Sequence, residues 1–165
     1  ISGVRWLEGD EVWKWRDSPA GSWSAPLLTA ALSNGHNKAG KLEDNCKSPV
    51  AFLLDYRDGF KAAAYMLQGH ATGWTFATKA RNSAKILSTG FGSPDIRKLA
   101  NFDGLVHCIE ELFVSGQPVY PVERTLLTTG ALAALFDSRE TQKKVFTPGL
   151  KITYHAPAKA YFQKK

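Results

Sequence analysis

A chain of 165 residues with 44% apolar and 22% charged side chains fits one globular domain around a single core and excludes a disordered tail. Its formal charge of +6 divides into about +2 over residues 1–82 and +4 over residues 83–165, with acids interleaved throughout. That spread argues against a nucleic-acid partner, and the lack of any run of about eighteen apolar residues argues against a membrane-spanning helix.

The chain opens on Ile1-Ser2-Gly3-Val4-Arg5-Trp6, with no initiator Met and no leader pattern. It reads like the interior of a strand, so further polypeptide is expected upstream. Residues 3–15 alternate apolar and polar around Gly9-Asp10, which predicts a β-hairpin. Trp13 and Trp15 then share one strand face, a candidate interface to another subunit or domain. The early tryptophans Trp6, Trp13, Trp15 and Trp23 also admit an aromatic sugar-stacking platform.

Ser24 caps a predicted helix that buries Leu27, Leu28, Ala31 and Leu32 and stops at Asn34-Gly35. Residues 35–48 form a polar loop carrying Cys46. Val50–Arg57 and Phe60–Leu67, separated by Asp58-Gly59, are the clearest hairpin signal. Trp74–Ala80 reads as a third strand and Ala84–Ser88 as a fourth, making a meander that runs on into the turn around Gly92-Ser93-Pro94.

Leu99, Phe102, Val106, Ile109 and Phe113 recur at helical spacing, with Gly116 at the cap and Pro118 beyond. Pro121 opens a second helix whose stripe is Leu126, Leu127, Leu132 and Leu135, ending near Asp137-Ser138. Leu150–Tyr154 predicts a closing strand before a Pro/Lys tail over 155–165. The architecture expected is α+β, a single domain over 1–165 with an open, mainly antiparallel sheet and helices packed on one face.

Motifs for chemistry are sparse. Gly90-Phe91-Gly92 lacks the third glycine of a dinucleotide loop, and no phosphate-loop, HExxH or GxSxG pattern occurs. The four histidines and two cysteines, Cys46 and Cys108, show no ligand spacing; two free thiols suit a reducing, cytoplasmic compartment. Substrate-facing candidates are His70 and Trp74, in a glycine-bearing joint between strands, and Tyr120 with Arg124 at a helix start, a position that attracts anions. A small hydrolase or isomerase using His70 with Arg124 is one possibility; a protein-binding or dimerisation domain is another.

Two stretches resemble a known family. The strand–Asp-Gly–strand run from Pro49 to Met66 resembles the sheet of the glucose–fructose oxidoreductase/inositol dehydrogenase (Gfo/Idh/MocA) family. Phe102-Asp103-Gly104-Leu105-Val106-His107 through Phe113-Val114-Ser115-Gly116-Gln117-Pro118, then Pro121–Leu126 and on to Ala131, Leu135 and Ser138, is similar to its closing helices. The likeness spans roughly residues 48–154 and extends to uncharacterised bacterial members. It implies the substrate-side and association domain of a sugar or polyol oxidoreductase-like protein that forms a homo-oligomer. NAD(P) would sit in an N-terminal dinucleotide-binding domain of the same chain. No catalytic or cofactor-binding position of the family matches a residue here.

Overall fold

The computed structural model describes residues 1–91 and 100–155. The first half runs β1 (Gly3–Glu8), α1 (Asp10–Asp17), α2 (Ser24–Leu32), β2 (His36–Asn37), α3 (Leu42–Asn45), β3 (Val50–Asp55) and β4 (Lys61–Met66). The second runs β5 (Ala71–Thr72), β6 (Trp74–Lys79), β7 (Ile86–Phe91), α4 (Ala100–Ser115), α5 (Val122–Thr141) and β8 (Val145–Phe146), followed by a 3-10 turn over Pro148–Leu150. The class is α+β, and every strand pairing is antiparallel.

The Asp58-Gly59 hairpin forms as its residues dictate. Tyr56 accepts a hydrogen bond from Gly59 N–H (3.2 Å) and donates its own N–H to Phe60 C=O (2.9 Å), while Asp58 Oδ1 accepts from Phe60 N–H (3.0 Å). Gly59 alone in this loop has a positive φ, +83°, so the turn carries a glycine bulge and is not a two-residue loop with both positions left-handed. Strand β1 then inserts beside β3, giving a sheet of order β4-β3-β1-β8.

Register sorts the two faces of that sheet. Val4, Trp6, Phe52, Leu54 and Val145 lie on one face and pack with Ala131, Ala134 and Leu135 of α5. The small side chains of α5 let the helix approach closely, and Gly130 takes this furthest: a Cβ there would stand 2.5 Å from Leu150 Cδ2. Leu7, Ala51, Leu53 and Tyr65 lie on the other face, closed by Val12, Trp13 and Trp15 of α1. Leu28, Cys46 and Leu67 extend the core beneath α2 and α3. Complete burial of each Val or Leu side chain contributes about 1.5–3 kcal/mol, so these three clusters hold the fold.

Several expectations are corrected. Residues 10–17 are helical, not the second arm of a hairpin: Val12 turns its fully buried side chain onto Leu7 and Ala51, and Asp10 and Glu11 suit the positive end of the helix. Trp13 and Trp15 therefore do not share a strand face. The meander also breaks after β4. Positive φ at Gly69 and Gly73 turns the chain away, β5 pairs with β2, and β6 pairs only with β7. No uninterrupted sheet runs from Val50 to Ala80.

The fourth strand lies at Ile86–Phe91, two residues later than expected, and the closing strand is the short β8 instead of Leu150–Tyr154. Cys46 is fully buried. Ser24 lies inside α2, which Trp23 precedes, and α5 runs to Thr141 with Gln142 left-handed. The stretch Gly92–Pro94, Leu99 and the lysines of the tail fall outside the described residues.

Candidate association surface

Helix α4 carries the largest apolar display. Phe102 and Ile109, Leu105 and Leu112, and Val106 and Phe113 occupy the first, fourth and fifth positions of two successive heptads, one continuous stripe at helical period. All six are exposed, Phe113 at 84%. The side of α4 that is least accessible carries Gly104 and Cys108 instead. Asp103, Glu110 and Glu111 fall outside the stripe, so no charge interrupts it. Gly116, with φ +69°, ends the helix by donating its N–H to Leu112 C=O (2.9 Å).

Helix α5 is apolar on two opposite sides. Leu127, Ala131, Ala134, Leu135 and Ser138 face the sheet, whereas Val122, Leu126, Leu132 and Phe136 are exposed. Two of the four leucines expected in its buried stripe, Leu126 and Leu132, thus point outward. Ser138, fully buried, replaces sheet pairing where β8 ends. It accepts from Trp6 N–H (3.0 Å) and donates to Lys143 C=O.

The β6–β7 hairpin shows the same inversion. Thr75, Ala77, Ser88 and Gly90 form one face; Asn34, which follows α2, donates to Ser88 Oγ (2.9 Å). Its other face presents Trp74, Phe76, Leu87 and Phe91, all exposed, with Trp74 at 72% and stacked obliquely on Phe91 at 6.5 Å. Apolar surface of this extent is uncommon on a monomer.

Among the described residues no hydrogen bond or ring contact joins His70 or Trp74 to Tyr120 or Arg124. His70 is 9% exposed and acts as a connector: Asn45 Nδ2 donates to its Nδ1 (3.1 Å), and its backbone C=O accepts from Lys38 N–H (2.7 Å). Arg124 lies over the Tyr120 ring at 4.7 Å, exposed at the start of α5. Two clefts, one beside Trp15 and one beside Arg16, are lined by none of His70, Trp74, Tyr120 and Arg124.

Trp13 and Trp15 are half-buried within their own chain. Trp13 is a shelf for Arg16, whose guanidinium stands 4.9 Å above the ring, and Trp15 meets Trp23 edge to face at 6.1 Å. Arg16 grips Asp17 with two hydrogen bonds (2.7 and 2.9 Å) and Glu43 with a third (2.7 Å). This guanidinium holds the Asp17 and Glu43 carboxyls below their ordinary range. Beside it lies a groove of about 410 Å³ floored by Leu28, Leu32 and Leu42. Burial pushes the Tyr65 phenol and the Cys46 thiol up.

Among the described residues no cluster of His, Cys, Asp and Glu is placed to hold a metal ion, and no helix is long and apolar enough to cross a membrane. Compared with known protein families, curated proteins and solved structures, the chain matches none of them.

Proposed function

We propose that this chain is a non-enzymatic association domain that pairs with a second copy of itself through α4. The observation that carries this is the uninterrupted, exposed stripe of Phe102, Leu105, Val106, Ile109, Leu112 and Phe113. Six large side chains of this exposure present on the order of 500–600 Å² of apolar surface, so symmetric pairing buries about 1,000–1,200 Å² in all, the lower end for a specific interface. The outward side of α5, beginning six residues beyond α4, adds to that area.

A substrate-side role in an NAD(P)-dependent sugar or polyol oxidoreductase called for one sheet from Val50 to Ala80, and this is absent. The hydrolase or isomerase alternative needs His70 and Arg124 in one cleft, and neither lines the clefts beside Trp15 or Arg16. Association needs neither. An upstream dinucleotide-binding domain is compatible with it.

Sedimentation of the 165-residue chain tests the proposal. A dimer is expected at about 100 µM, and Ile109→Glu, which puts two carboxylates into the seam, should convert it to a monomer. A wild-type chain that is monomeric at that concentration sinks the proposal, as does a dimer that Ile109→Glu leaves intact.

A further inference from the structure

On the sheet face that α1 partly covers, charge gathers beyond the end of the helix. Gly3 pairs with Asp55 and Asp55 with Lys61, so strand register sets Asp55 and Lys61 on the same side as Arg5. Lys144, just before β8, reaches across to Asp55 and ion-pairs with it. Its side chain passes closely over Gly3, where a Cβ would stand 2.8 Å from Lys144 Cε. Three cations, Arg5, Lys61 and Lys144, thus line one cleft with a single carboxylate, Asp55, that Lys144 already engages. Among the described residues, Arg5 and Lys61 have no carboxylate at ion-pair distance.

These groups line a cleft of about 180 Å³ together with Trp15 and Trp23. Continuing the β1–β8 register brings Arg5 opposite Lys144, and like charges opposite one another on a sheet cost stability. Asp55 offsets that cost at Lys144, and an anion held by Arg5 and Lys61 would offset it at Arg5. The aromatic side chains offer a flat surface to whatever carries the anion, and a guanidinium matches an oxyanion with two hydrogen bonds.

We propose that this cleft binds a small molecule with an oxyanion head group, carboxylate or phosphate, on a planar ring. Arg5 and Lys61 hold the head group and Trp15 contacts the ring. The site is independent of the association surface, since no lining residue belongs to α4, α5 or the β6–β7 hairpin.

Amide and indole NMR shifts of the full chain during titration with benzoate and phenyl phosphate test it, with benzyl alcohol and sodium chloride as controls. Saturable shifts at Arg5, Lys61 and the Trp15 indole are expected with either anion, and the tighter of the two identifies the head group. Arg5→Gln and Lys61→Gln should each weaken binding about tenfold, and Lys85→Gln at the hairpin end should leave it unchanged. Arg5 and Lys61 are both exposed, so the two variants keep the fold, read as unchanged amide shifts away from the cleft. Shifts that do not saturate, that persist in Arg5→Gln, or that sodium chloride reproduces would mean an adventitious ion only and overturn the proposal.

Discussion

Ser138 shows how much one small polar side chain can hold. Its hydroxyl ties the Trp6 N–H of β1 to the Lys143 C=O, two backbone groups that lose sheet partners because β8 pairs only with Gly3 and Val4. Ser138→Ala leaves both without that partner in a fully buried setting and should cost about 2 kcal/mol, read as a lower midpoint in urea unfolding at unchanged slope. Ser33→Ala, which removes an exposed hydroxyl bonded to Ala30 C=O, should change stability by less than about 0.5 kcal/mol. Nothing in the residue string marks Ser138 for this task, because it is defined by where a distant strand stops. His70 is the converse case. A histidine in a glycine-bearing joint invites a functional role, yet Asn45, twenty-five positions away, and the Lys38 amide use it to tie a loop.

At the scale of elements, local signals were legible and pairings were not. The Asp58-Gly59 hairpin, α2, α4 with its Gly116 cap, and α5 after Pro121 all form where periodicity and turn chemistry put them, though α2 takes in Ser24 and α5 runs past Ser138 to Thr141. Helix α1 was hidden because Val12, Trp13 and Trp15 are residues that strands favour, and eight residues are too few for a helical period to outweigh alternation. It is held from outside, by burial of Val12 and by Arg16 reaching Glu43 in α3. That tie gives a pH signature. Asp17 and Glu43 titrate below their ordinary values of 3.8 and 4.5 in the fold, so their contribution is complete above the ordinary range and fades as pH falls through the lowered values. The melting temperature of Arg16→Gln should therefore lie below wild type at pH 7, and the gap should narrow on acidification below about pH 4. A gap independent of pH would assign Arg16 to packing on Trp13 alone.

For the whole molecule, the sheet between α5 and α1 forms a closed core, while α4 and the β6–β7 hairpin turn their apolar sides away from it. The amphipathic pattern of α4 was plain in the residues; which way the stripe faces was not, because periodicity identifies a side to be buried without naming what buries it. The consequence is thermodynamic. A helix of 16 residues without packing is marginal in water, so under the proposed pairing α4 would draw stability from the second copy and pairing would be linked to folding. Diluting the protein about a hundredfold should lower the melting temperature by several degrees. Ile109→Glu should abolish that dependence and remove helical circular dichroism equivalent to α4, while the sheet core still unfolds cooperatively. If the melting temperature is the same at both concentrations in the wild-type chain, α4 stands without a second copy and the association role fails.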